Sequence, residues 1–256
     1  MMGTRAARPV YLVDHILIIR ALILRNLRLK YFSRPAGFFL EFLRPTIMNI
    51  SHYYIFYYMG KGMPAGIKVE EWVWAGFAVW FTFTGIWQPI RGSRGAPTVP
   101  FPGVSAMHVR LAICIWPVII NTVFLYASVA VMIFFGDNIP FPNVFLTAII
   151  MVITATLAVG FGLIVGAICR AVELIEPFIH ILPWFLLMGS GIYASISQVP
   201  SYIEAIVVWS PPMHLTEYER YAFDPGYPIT LVNLWYPAIC AVGLLFVGLL
   251  MAKRYP

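Results

Sequence analysis

Six apolar runs, at 38–59, 72–87, 111–135, 144–169, 178–194 and 231–252, dominate the pattern of this chain. Most approach the ~17–25 residues that a helix needs to cross a bilayer. Glu41, Arg44, Asn49 and His52 interrupt the first, and Pro45 predicts that its true start lies just before that proline. Upstream, 12–32 carries Leu12, Ile16, Ile19, Ile23 and Leu27 at helical spacing with Arg25 and Arg28 opposite, as a helix lying at the membrane interface would. The segment 195–230 is less apolar but too aromatic for a solvated loop, and its prolines predict two short re-entrant pieces. The pattern therefore predicts an all-α membrane protein of six transmembrane helices. An N-terminal amphipathic interface helix precedes them, and short re-entrant helices lie between the fifth and sixth spans. Residues 1–36 form a cytoplasmic N-terminal segment and 37–256 the six-span domain.

Composition agrees, with 61% hydrophobic and 11% charged residues, far from the ~25% charged residues of soluble domains. Of the 17 basic residues, all but Lys61, Lys68 and Arg220 fall on one side of the predicted spans. That side is predicted to be cytoplasmic and to hold both termini. Insertion thus accounts for the net charge of +6, and no nucleic-acid partner is expected. Cys114, Cys169 and Cys240 lie in separate apolar runs and read as packing residues. The N-terminal stretch lacks the pattern of a cleaved signal, so none is expected.

Several chemistries find no residues. The chain has no G-x-x-x-x-G-K-[ST] phosphate cradle, the nearest fragment being Gly60-Lys61-Gly62. Its five histidines show no metal-ligand spacing, and no G-x-S-x-G elbow occurs. A membrane-embedded transferase would need a convergent acid, base or nucleophile set, and none is legible. Gly162 and Gly166 form a small-x-x-x-small pair, for which packing within the chain is the default and a dimer contact the alternative. The proline-rich loop 88–110 reads equally well as a docking surface or a linker.

Three segments carry a family resemblance. ALILRNLRLKYFSRPAGFFLEFLRP (21–45) resembles the opening of type-2 ABC exporter permeases, with Arg25, Arg28, Lys30, Tyr31, Gly37 and Pro45 matching. VPFPGVSAMHVRLA (99–112) resembles their cytoplasmic loop before the third span. VWSPPMHLTEYERYAFDPGY (208–227) is similar to the W-x-P-x-x-H-x-x-E-x-x-R element of capsular polysaccharide and O-antigen exporters, in Trp209, Pro211, His214, Glu217, Arg220, Gly226 and Tyr227. Ser210 departs from the usual Asn, and Arg44 stands where an acid is common.

The resemblance implies a homodimeric permease in the inner membrane, two separate ATP-binding cassette ATPase subunits, and a lipid-linked polysaccharide substrate. ATP and magnesium would bind the ATPase and no cofactor this chain. It leaves room for periplasmic and outer-membrane export components. The same fold exporting a lipid, drug or small glycolipid is the alternative. By family position, Arg25, Arg28, Lys30, Arg91, Arg94 and Val104 are expected to dock the ATPase. Tyr53, Tyr54, Tyr57, Tyr58, Trp184 and Tyr193 are candidate polymer-contacting aromatics, although interfacial belts use the same residues. Glu217 and Arg220 are three apart, as a helix-surface ion pair would be. A pair of that kind would be partly restored by reversing its charges.

Overall fold

The computed structural model describes residues 12–29, 36–60, 63, 66–92, 104–229 and 231–255. Lys30, Arg94 and the span 93–103 of the proline-rich loop lie outside the described residues. All regular secondary structure among the described residues is helical. Helix α1 (Leu12–Leu27) is followed by four long helices, α2 (Ala36–Tyr58), α3 (Val69–Gly92), α4 (Ala106–Phe134) and α5 (Val144–Ala171). Short elements α6 (Glu176–Ile179), α7 (Leu182–Met188), α8 (Ser201–Val207) and α9 (Pro211–Phe223) precede a last long helix, α10 (Trp235–Arg254). Of these, α4, α5 and α10 are long and apolar enough to cross a membrane. Helices α2 and α3 have the length, at 23 and 24 residues, but are less apolar.

Helices α3 and α5 form the centre. Helix α3 buries Trp72, Phe77, Ile86 and Trp87 against Ile150, Met151 and Leu157 of α5, while α10 covers the other flank of α5. Glycines permit these close approaches. A Cβ on Gly160 would stand 2.4 Å from the backbone nitrogen of Leu245 in α10, and one on Gly162 would stand 2.7 Å from the carbonyl oxygen of Trp87 in α3. Gly166 likewise faces the Arg91 carbonyl. The Gly162/Gly166 pair therefore serves packing within the chain.

Three expectations change. Helix α2 does not begin at Pro45 but runs through it from Ala36. The proline costs one helical bond, and Thr46 Oγ1 donates 2.6 Å to the Phe42 carbonyl within the same turn. The expected apolar stripe of α1 is rotated: Leu22 is buried, with Ile18 and Ile23 beside it against Ala112 and Val109 of α4, whereas Ile16 is exposed. The run 178–194 is no single straight helix. Pro177 and Pro183 open the separate helices α6 and α7, and turns follow at Gly189 and Ser190. The 13 residues Glu176–Met188 reach only ~20 Å, less than the ~30 Å of hydrocarbon. Within 195–230 the chain forms the two short helices α8 and α9.

Candidate functional site

The site on which the sequence motif converges is a buried polar knot beneath α9, at the N-terminal end of α3. Proline suits the start of α9, because its missing N–H has no helical partner there, and Pro211 and Pro212 open the helix. One turn of helix then places Glu217 and Arg220 on the same side, and both are buried.

Arg220 is engaged on three sides. Its Nη1 donates to Glu217 Oε1 at 2.9 Å and its Nη2 to the Gly191 carbonyl at 2.6 Å. Its guanidinium carbon stands 3.2 Å from the centre of the Trp72 ring. Trp72 is fixed in turn by donating from Nε1 to the Ile192 carbonyl at 2.8 Å. Gly191 is required at its position, since its φ is +82° and a Cβ there would lie 2.4 Å from Met213 Sδ. The second carboxylate oxygen of Glu217 accepts from Tyr227 Oη at 2.7 Å and from Ser195 Oγ at 3.0 Å. The charge is thus both paired and hydrogen-bonded, as burial demands. Burial pushes the Arg220 guanidinium below its ordinary range, opposed by Glu217, and raises the Tyr227 phenol to about 12.

His214 ties the start of α9 to its neighbours. Its Nε2 donates to the Val208 carbonyl at 2.7 Å, and its Nδ1 accepts from the Asn233 N–H at 3.1 Å. That pattern needs the neutral ring, and burial lowers its pKa accordingly. Ser210 does not cap α9 with its side chain but donates from Oγ to the Gly189 carbonyl at 2.6 Å. Trp209 points outward, 71% exposed, while its carbonyl accepts from Tyr236 Oη.

A second buried acid, Glu219, was not singled out by the motif. Its Oε1 accepts from Thr147 Oγ1 of α5 at 2.8 Å, and among the described residues its Oε2 has no hydrogen-bond partner. Burial raises this carboxyl to about 8. The signal available in the sequence was an acid one residue from the pair on a short helix, and nothing indicated that α9 would be buried on nearly every side.

The other end of the bundle carries the basic residues. Arg25 on α1 and Arg28 just beyond its end are exposed. Val104 is half-buried and packs on the Leu22–Ala112 contact, so the loop end and α1 form one surface. Arg91 is partly committed, with its Nη1 3.1 Å from Glu176 Oε1. His15 and His108, 93 residues apart, stack at 4.9 Å between centroids with Nδ1 and Nε2 at 2.7 Å. Because His108 Nδ1 accepts from the Ser105 N–H at 3.0 Å, its Nε2 carries the proton that His15 accepts. Sequence spacing had shown no paired histidines.

The aromatic candidates separate. Tyr54, Tyr57 and Tyr58 are exposed and Tyr53 half-buried on α2, with Tyr53 stacked on Tyr57 at 5.9 Å and Tyr54 on Tyr58 at 6.1 Å. Trp184 is exposed on α7. Tyr193 turns inward, 3.2 Å from His52 Nε2 and packed beside Phe56.

With this geometry in place, comparison with known proteins is informative. The family model described as ABC-2 type transporter matches residues 18–223. Among similar proteins are the capsule polysaccharide export inner-membrane protein BexB of Haemophilus influenzae, 24% identical over 93% of this chain and 91% of that protein, and the corresponding protein CtrC of Neisseria meningitidis serogroup B, 23% identical over the same shares. The polysialic acid transport protein KpsM of Escherichia coli is 23% identical over 92% of each chain.

Proposed function

The chain belongs to the ABC-2 type transporter family, and on that premise we propose that it is the permease subunit of an exporter that moves a lipid-linked, capsule-type polysaccharide across the inner membrane. The observation that carries this reading is end-to-end likeness: proteins named for capsule polysaccharide export, and one named for polysialic acid transport, align over more than nine-tenths of their length and of this chain. The chain carries no phosphate cradle of its own, so ATP hydrolysis is assigned to a separate subunit.

In this reading α2, α3, α4, α5, the broken α6–α7 segment continued by the non-helical residues 189–194, and α10 are the six spans, with both termini cytoplasmic and α8 and α9 re-entrant from the external side. The lopsided basic charge supports that orientation. Arg25 and Arg28, exposed on the α1 side with Val104, present the ATPase-docking surface. Lys30, Arg91 and Arg94 are assigned to it by family position. Two copies enclose the polymer path, and the exposed tyrosines of α2 and Trp184 offer ring faces on which sugars stack. The knot beneath α9 holds the external helices rigid by contacts within the chain, a structural and not a catalytic role.

Deleting the gene and measuring polymer by compartment tests the function. The expected result is loss of surface polysaccharide with accumulation inside the cell, restored by the intact chain. Normal surface polymer in the deletion strain would contradict it.

A further inference from the structure

A cavity of about 590 Å³ opens between α1 and the ends of α2, α3 and α4, at the pole opposite the buried knot. Its size is that of a small-molecule site, ~300–1,000 Å³. Its lining is unusual for a membrane-facing cleft. Glu41, Arg44, Gln88 and Asn121 contribute polar groups, and Phe81 and Trp116 contribute half-buried rings.

Asn121 is the telling residue. It is only 9% exposed, yet among the described residues its amide has no protein hydrogen-bond partner. Thr84, deeper on the α3 wall, is by contrast bonded to the Trp80 carbonyl at 2.8 Å. The amide atoms of Asn121 are not sealed off but open onto the cavity, so their hydrogen-bonding capacity is available to water or to a bound polar ligand.

The backbone adds acceptors. Pro89 of α3 and Pro117 of α4 both line the cavity, and each withdraws the helical N–H from the carbonyl four residues earlier. Those carbonyls belong to Gly85 and Ile113, which also line it. The amides of Asn26, Gln88 and Asn121 each offer donors and acceptors, Arg44 adds a charged donor, and the Glu41 carboxylate adds acceptors. A phosphate or other anion brings only acceptors of its own and pairs with just the donors of such a wall, leaving the wall's acceptors unmatched. Sugar hydroxyls bring donors, and the apolar C–H faces of a pyranose suit the Phe81 and Trp116 rings.

We propose that this cavity is a sugar-binding site that holds hydroxyl-rich units of the exported polymer at the α1 end of the permease before transport. The assignment rests on the polysaccharide-export reading above. The site lies within a single copy of the chain, between its interface helix and its own bundle, apart from the exposed α2 tyrosines.

The test places a photoreactive benzoylphenylalanine at Leu40, which lines the mouth and is exposed, in the full transporter in cells that make the polymer. Irradiation should give a carbohydrate adduct that disappears in a strain unable to make polymer and falls about fivefold or more with Asn121→Leu, the size of one lost hydrogen bond. Asn121→Leu should also slow the appearance of surface polymer by a similar factor at equal permease levels. A phospholipid adduct only, no adduct, or export unchanged by Asn121→Leu would overturn the site. The gene deletion separates the two readings: surface polymer that persists without the chain sinks the export function itself, whereas loss of polymer with a phospholipid-only adduct sinks the sugar site alone.

Discussion

The guanidinium carbon of Arg220 lies 3.2 Å from the centre of the Trp72 ring, joining the short helix α9 to the first turns of α3 across 148 positions of sequence. Both side chains are almost wholly buried. Arg220 is therefore the keystone of α9, and its motif partners act through it. Glu217 neutralises it, Gly191 accepts from it, and Tyr227 and Ser195 hold Glu217 in place.

Removing one member strands the other charge. Arg220→Ala and Glu217→Ala should each cost ~3–5 kcal/mol, read as a lower melting temperature in detergent, and the double variant should cost less than the sum. The reversed pair, Glu217→Arg with Arg220→Glu, should recover nothing. Tyr227 and Ser195 donate toward position 217, and the Gly191 carbonyl accepts from position 220, so each reversed charge meets the wrong groups. Spacing alone suggested partial rescue. Additive losses, or rescue by the reversal, would contradict the keystone role.

Glu219 makes stability depend on pH. Its carboxyl is raised to about 8 in the folded chain from an ordinary 4.5, so between those values the folded state holds a proton that the unfolded state has released. The contribution is most favourable below pH 4.5 and is lost as pH rises toward 8. Melting temperature should therefore decline across pH 6–8, and Glu219→Gln, which keeps an uncharged side chain able to bond Thr147, should flatten that decline. Identical pH profiles for the two proteins would refute the buried, protonated acid.

Arg25 and Arg28 are exposed, so replacing both with Glu should leave folding and membrane insertion intact, surface changes being worth roughly ±0.5 kcal/mol. Recovery of the ATPase with the tagged permease should nonetheless fall severalfold. Unchanged recovery together with normal export would remove them from the docking surface.

Much of this fold was legible in the sequence because lipid imposes a crude code. Length and apolarity alone locate α4, α5 and α10, and the arginines beside a helical stripe locate α1. Boundaries set by local rules were less legible. Pro45 reads as a helix start, but in a bundle one lost bond is offset by packing, and α2 continues. Leu22 rather than Ile16 faces α4 because the contact is chosen by the neighbouring helix, a tertiary fact. The Glu217–Arg220 pair was visible as spacing, whereas Trp72, Gly191 and Ser195 come from distant segments that only the folded chain brings together. Glu219 and the His15–His108 contact were hidden for the same reason.

The most direct test of polysaccharide export by this chain is transport in a purified system. The permease would be reconstituted in proteoliposomes with its ATPase subunit outside and given lipid-linked polymer in the outer leaflet, and polymer protected from an added glycosidase would be measured. The expected result is protection that requires ATP hydrolysis and this chain together. Polymer that stays fully accessible with an active, correctly assembled ATPase would contradict export of polysaccharide by this permease.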